Sequence, residues 1–312
     1  MQDILLKTSR ILSKNYTNLS ERRTQMIKVN NLSKGYNKEK ILKDINLELS
    51  GGKIYGLAGS NASGKTTLIK CLTGIYKTDG GEVLFEGKAV YDNPKAKEKI
   101  GLIFDIHNFL PLKSVTGYAK YYAGFYDDFS FDKFNNLIDK FSVPKKSQVD
   151  QLSLGQRKKL QIALVMSRSI DYLIMDEPEN GLDNESRELL RNILREASDN
   201  GMCVVLSSHD LVNIENMCDE LILIDNGIIK FNGSVDDCLS NIQKWRVKGN
   251  KEDLKGFVVT EVLGNILTVL SKGDREENEN TLRTKGLEII DIEKVSVIDA
   301  YTFMRKEGGA ND

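Results

Sequence analysis

Apolar residues in this chain fall into short runs divided by polar turns, and two periodicities alternate along it. Continuous apolar runs at residues 54–58, 100–104, 172–175, 203–206 and 221–224 predict strands buried on both faces. Between them, apolar positions at helical spacing predict helices over residues 66–73, 160–168 and 185–197. Strands alternating with helices imply an α/β fold with a mainly parallel sheet covered on both faces.

The two ends read differently. Leu5, Leu12 and Leu19 recur every seven residues, so residues 1–25 form an N-terminal extension able to make a short amphipathic helix. A regular domain begins near Met26, with strand-like residues 27–29 and 45–49 around a turn-rich 33–40 and a further strand at 83–85. Past about residue 240 the texture changes again. Short strands at 257–260, 266–270 and 287–290 surround a charged turn at 273–280, and a last helix covers 298–304, which makes 241–312 a small α+β domain. Tyr118, Tyr121, Tyr122, Phe125, Tyr126 and Phe129 recur at helical spacing and exceed what one buried stripe uses, which leaves core and partner groove both open for the excess rings.

Composition narrows the class. Forty-four basic against 45 acidic side chains leave a net charge of -1, no basis for general nucleic-acid binding. The longest apolar runs, 162–166 and 221–224, fall far short of the roughly 20 residues that span a bilayer, so the chain is expected not to cross one, and no secretory signal is recognisable. Cys71, Cys203, Cys218 and Cys238 form no CxxC pair and read as buried small hydrophobes.

Against this background one motif stands out. Gly59, Ser60, Asn61, Ala62, Ser63, Gly64, Lys65 and Thr66 fit GxxxxGK[ST] between an expected strand and an expected helix, the setting in which backbone amides and a helix N-terminus cradle phosphates. Lys65 then pairs with the β- and γ-phosphates, and the Thr66 hydroxyl ligates Mg²⁺. About 110 residues later, the apolar run 172–175 ends in Asp176 and Glu177. There Asp176 can hold Mg²⁺ and Glu177 can orient and deprotonate a water.

With Leu152-Ser153-Leu154-Gly155-Gln156 before a helix and Leu206-Ser207-Ser208-His209-Asp210 after a strand, the sequence resembles the ATP-binding-cassette (ABC) ATPases from residue 27 to about 238. The resemblance implies a RecA-like P-loop NTPase cassette over 26–240, with an antiparallel β subdomain and a helical subdomain at about 106–158. It implies that Tyr36 stacks on adenine, that residues Gly59 to Thr67 form the phosphate loop, and that Ser153, Gly155 and Gln156 contact ATP across a dimer. By the same resemblance Asp176 is the magnesium-side acid, Glu177 the catalytic base, residues 181–183 an inter-subunit loop, and His209 the switch histidine at the γ-phosphate; His107, outside any such context, reads as a surface loop residue.

Four positions depart from the commonest family pattern: Ala62 and Leu154 replace glycines, Asn180 a serine, and Asp105 a glutamine. Asp105 still offers oxygen to Mg²⁺, but with a shorter reach and an added charge. The cofactors implied are ATP and Mg²⁺, and the partners a second nucleotide-binding subunit, the same or different, and a separate membrane permease. Residence at the cytoplasmic face of the cell membrane follows from that resemblance, and the overall look is that of ATPases paired with ABC-2-type exporters, bacitracin-type resistance systems among them. Two other readings stay open, a soluble ABC ATPase with a non-membrane partner and an ATP-binding regulatory switch; single-cassette length weighs against a ribosome-acting protein, and the presence of Glu177 and His209 against a switch.

Overall fold

In the computed structural model, which describes residues 26–37, 39–104, 113–250, 254 and 256–307, the chain opens with strands β1 (Met26–Tyr36) and β2 (Glu39–Ser50), paired antiparallel. The expected turn at 33–40 is thus mostly strand: the register slips between Val29 and Gly35, and such bulges absorb turn-like polar residues without ending the pairing. The expected N-terminal helix, Asp105 and His107 lie outside the described residues. Next come β3 (Lys53–Ala58), α1 (Lys65–Leu72), β4 (Gly80–Phe85), β5 (Lys88–Ala89), α2 (Pro94–Glu98) and β6 (Ile100–Ile103). The aromatic-rich stretch is two helices, α3 (Val115–Ala123) and α4 (Phe131–Lys140), each started by a serine side chain, Ser114 or Ser130, that accepts from a first-turn amide. Its rings divide: Tyr118, Tyr122 and Phe129 pack on the core, whereas Phe125 is 65% exposed.

The chain continues through α5 (Leu154–Met166), β7 (Tyr172–Asp176), α6 (Asn184–Asp199), β8 (Cys203–Ser208), α7 (Leu211–Met217), β9 (Glu220–Asp225), β10 (Ile228–Ser234) and α8 (Val235–Ser240). Six strands form the central sheet in the order β10-β9-β3-β8-β7-β6, parallel except for β10. A second sheet, β2-β1-β4-β5, is antiparallel.

The central sheet divides two hydrophobic cores, and its strands alternate between them. Leu173, Met175, Val204, Leu206, Leu221 and Leu223 face one core, with residues of α5, α6 and α7; Tyr172, Ile174, Cys203, Val205, Ile222 and Ile224 face the other. Period-two side-chain placement makes this division automatic. The second face is covered by α1 and the antiparallel sheet, the antiparallel β subdomain that the resemblance implied. All four cysteines are buried.

Beyond α8 lie β11 (Ile242–Lys248), β12 (Val258–Leu263), β13 (Ile266–Lys272), α9 (Arg275–Thr284), β14 (Glu288–Glu293) and α10 (Val297–Glu307), the strands ordered β12-β13-β11-β14. Most of the expected charged turn at 273–280 is helix, because Asp274 caps α9 through the Glu277 amide and Glu276 and Glu277 favour its positive end. This sheet has its own core around fully buried Trp245. Among the described residues no helix is long and apolar enough to cross a membrane.

The β9–β10 hairpin turns at Asn226 and Gly227, with φ of 48° and 75°, the Asn-Gly pattern that favours a tight hairpin. The Gly227 amide donates to the Ser63 carbonyl at 3.0 Å, while its own carbonyl accepts from the Lys43 amide at 2.9 Å. A Cβ at Gly227 would lie 1.9 Å from the Ile41 carbonyl oxygen, whereas one at Gly87, φ 76°, would meet nothing within 4 Å. Gly87→Ala is therefore expected to cost about 0.5–1 kcal/mol in urea unfolding, the left-handed penalty less the chain entropy that alanine removes from the unfolded state. Gly227→Ala should cost distinctly more, because a backbone oxygen must also move, and equal midpoints for the two variants would contradict this.

Candidate phosphate-binding site

Between β3 and α1 the chain turns back within residues 59–64. Gly59 lies against β9, so close that a Cβ there would sit 2.2 Å from the Ile224 carbonyl oxygen. Ala62 and Gly64 take φ of 63° and 109°. Only Gly64 adopts such a value without a steric penalty; Ala62 carries a methyl at a left-handed position. Gly64 also supplies no side-chain cap to α1, which leaves the positive helix end open for an anion. Beside it the Ser63 hydroxyl is buried and has no hydrogen-bond partner. Such an orphan suits an incoming phosphate oxygen.

Lys65 folds back over this loop. Its Nζ donates to the carbonyls of Gly59 at 2.8 Å and Ser60 at 3.0 Å, and burial lowers its pKa from the ordinary lysine value. Next along α1, the Thr66 hydroxyl donates to Asp176 Oδ2 at 2.8 Å, joining the loop to the end of β7. The other carboxylate oxygen accepts from Ser207 Oγ at 2.6 Å, and that hydroxyl in turn accepts the Glu177 amide at 3.0 Å. The parallel register of β7 and β8, which sets Asp176 opposite Ser207, dictates this contact.

Glu177 itself sits at φ 48°, a strained value for a non-glycine residue. Its Oε2 lies 2.8 Å from His209 Nδ1. Burial pushes the Glu177 carboxyl above its ordinary value, and the His209 hydrogen bond and the Lys65 charge oppose that shift without cancelling it. From behind, Lys158 of α5, fully buried, hydrogen-bonds to the carbonyls of Phe104 at 3.2 Å and Glu177 at 3.4 Å.

Beside them lies a cavity of about 470 Å³, lined by Tyr36, Ile41, residues 61–67, Asp176 and Glu177, with Gly59, Ser60 and His209 outside its lining. Tyr36 stands at its edge, 42% exposed, with its ring edge-on to Tyr76 at 6.0 Å. The structure therefore gathers Tyr36, residues 61–67 of the phosphate loop, Asp176 and Glu177 around one cavity, with His209 on Glu177. Ser153, Gly155 and Gln156 do not line it. They form the N-terminus of α5, where Ser153 and Gln156 cap each other reciprocally, and a Cβ at Gly155 would sit 2.4 Å from the Gly181 carbonyl oxygen. The adjoining loop is fastened by Asp183, which caps α6 through the Ser186 amide and pairs with Lys159 at 2.9 Å; those bonds hold its carboxyl well below the usual range.

Two hard oxygen donors 2.8 Å apart, Thr66 Oγ1 and Asp176 Oδ2, fit Mg²⁺, which binds few protein ligands and keeps waters and substrate phosphates. Sequence reasoning assigned no role to Ser207 or Lys158. Ser207 lay within the Ser-Ser-His stretch, and pairing the two apolar runs in parallel would have placed it beside the acids. No local pattern distinguishes Lys158 from the charged face of an ordinary helix.

The geometry defines a P-loop nucleotide-binding protein, and comparison with known proteins gives the family. Residues 42–180 match the ABC transporter family model. The lantibiotic transport ATP-binding protein SrtF of Streptococcus pyogenes is 34% identical over 206 residues, 65% of this chain and 89% of that protein. The methionine import ATP-binding protein MetN of Clostridium acetobutylicum is 29% identical over 227 residues, 69% of this chain and 71% of that one. A solved ATP-binding subunit of an ABC transporter superposes with a TM-score of 0.65 at 25% identity, covering 69% of this chain and 92% of its own. The chain belongs to the ATP-binding proteins of the ABC transporter family.

Two outcomes follow from the site's geometry. Ala62→Gly should raise stability by about 0.5–1 kcal/mol, the left-handed penalty less the added chain entropy of glycine; an unchanged or lower denaturation midpoint would contradict it. Carboxyl NMR, assigned by difference with Glu177→Gln, should show Glu177 titrating above the ordinary glutamate range, and His209→Ala should move it higher because the lowering hydrogen bond is lost. A downward move would show that the histidine does not stabilise the carboxylate.

Proposed function

We propose that this chain is the ATP-hydrolysing subunit of a transporter, an exporter by its resemblance to ABC-2-type systems, with the membrane-spanning subunits on separate chains. The observation that carries the reading is the hydrogen-bonded line Thr66–Asp176–Ser207–Glu177, with His209 on the glutamate, beside a loop built for phosphate. Lys65 exchanges the Gly59 and Ser60 carbonyls for β- and γ-phosphate oxygens. Thr66 and Asp176 hold Mg²⁺, and the family resemblance adds Asp105, which lies outside the described residues. When bound, the ion neutralises phosphate charge. Glu177 takes the proton of the attacking water, and its raised pKa makes it the stronger base. His209 orients that carboxylate and faces the γ-phosphate, and Tyr36 offers its exposed ring to the adenine.

Two copies, or this chain and a related one, face each other head to tail. In that arrangement Ser153, Gly155 and Gln156 meet the nucleotide on the partner's loop. Their absence from the lining of their own chain's cavity and the 58% exposure of Leu154 between them support it. The assembly works at the cytoplasmic face of the membrane. MetN carries an import name, so the direction of transport is tested by loading inside-out vesicles that contain the copurified permease.

Nucleotide titration should show that Lys65→Ala loses most ATP affinity; near-normal binding would sink the phosphate-loop assignment. Glu177→Gln should bind ATP but hydrolyse it about 10² to 10⁴ times more slowly, the usual loss with a general base. With hydrolysis blocked, ATP should hold a dimer visible by light scattering, and adding Ser153→Arg should dissolve it. An ATP-bound Glu177→Gln protein that stays monomeric even with its permease would overturn the head-to-tail arrangement.

A further inference from the structure

The last helix bridges two units: it lies on β12 and β13 of the C-terminal sheet and also packs against α7 and α8 of the cassette. Val297, Ala300 and Phe303 of α10 are buried in the main core with Ile214 and Met217 of α7, not with the Trp245 core of their own sheet. The two helices are also joined by a polar contact: the Val297 amide donates to Glu215 Oε2 at 2.9 Å. That amide is one of the first-turn donors that a helix cannot satisfy internally, and a carboxylate at this end is favoured by the helix dipole.

Helix α7 leads straight back to the site. Asp210, the residue after His209, is its cap and accepts from the Val212 and Asn213 amides. At seven residues α7 is too short to hold its own shape, so its contacts decide where it lies and how it presents His209. On one side α6 grips it: Arg191 donates to Asn213 Oδ1 at 2.8 Å and Arg195 to the Met217 carbonyl at 2.9 Å. On the other side is α10. From there the chain of contacts reaches the C-terminal sheet, because Asp299, bonded to Ser296 at the helix start, also pairs with Lys244 of β11 at 3.3 Å.

We propose that Glu215 is a positioning residue: it fastens the helix behind His209 to α10, so that the C-terminal unit sets how His209 stands against Glu177 and responds in turn when nucleotide binds. This rests on the reading of His209 and Glu177 as groups at the nucleotide. A plain buttress would hold α7 in one place whatever occupies the site. Coupling requires more, because an effect of α10 on nucleotide binding implies an equal effect of nucleotide on α10.

The full chain tests this by hydrogen exchange in residues 297–307, with and without Mg²⁺ and the non-hydrolysable analogue AMP-PNP, whose binding is measured in parallel by calorimetry. The variants are Glu215→Ala, which removes the acceptor, Glu215→Gln, which keeps an acceptor oxygen, and Val297→Pro, which removes the donor at a first helical position where proline is tolerated. Fluorescence of Trp245, the chain's single tryptophan, reports that the C-terminal core is folded in each. In the wild type and Glu215→Gln, AMP-PNP should change exchange of α10 amides about fivefold or more, and in Glu215→Ala and Val297→Pro that response should vanish. The same two variants should lower kcat for ATP, as for a residue acting through the catalytic group, and by reciprocity shift AMP-PNP affinity in calorimetry. AMP-PNP that binds without altering α10 exchange in the wild type, or a Glu215→Ala protein with wild-type response and kcat, would overturn the proposal while leaving the nucleotide reading intact. Failure of AMP-PNP to bind would remove that reading and the proposal with it.

Discussion

The carboxylate of Asp176 is the point on which the site is assembled. It is 6% exposed and receives Thr66 on one oxygen and Ser207 on the other. A buried charge is tolerated only when such donors satisfy it, so three separate segments are held in one place by the need to satisfy a single group. The sheet makes this possible. β3, β8 and β7 are consecutive neighbours, and their carboxyl ends deliver the phosphate loop, Ser207 and Asp176 to one edge, where ligands of open α/β sheets collect.

Around that point the backbone is held in costly conformations. Ala62 and Glu177 both take positive φ, and each is fixed by neighbours rather than by its own preference. The loop containing Ala62 leans on the β9–β10 hairpin through the Gly227 amide and on β9 through Gly59. Glu177 is held by Ser207 on its amide and Lys158 on its carbonyl. The second of these contacts comes from α5, the helix whose N-terminus carries Ser153, Gly155 and Gln156. The candidate base and the segment proposed to meet the partner's nucleotide are therefore part of one packed unit.

The division of the core by the central sheet has a consequence for the C-terminal unit. One face buries α5, α6 and α7, and α10 joins that same core. The unit is thus anchored in the layer that carries the His209 helix, while its Trp245 core remains separate. A domain tethered only by a linker would lack such an anchor.

The chain's local chemistry determined what lies close together in sequence. Residues 59–66, the acids after residues 172–175 and the Ser-Ser-His-Asp stretch could each be read because their proposed function depends on consecutive residues at a strand end. The buried strands were equally legible, since burial on both faces leaves an unbroken apolar run. Strands β10 and β11 were not, because each mixes polar residues among the apolar ones, and the helix α9 hid within a charged stretch whose capping residue gave its only signal. The sequence by itself determined which residues are candidates for the chemistry. Only the tertiary structure decided what holds them: Ser207 against Asp176, Lys158 behind Glu177, Gly227 under the loop, and Glu215 on Val297. Each of these contacts joins residues distant in the chain, and strand register and helix packing, which no local pattern encodes, bring them within hydrogen-bonding reach.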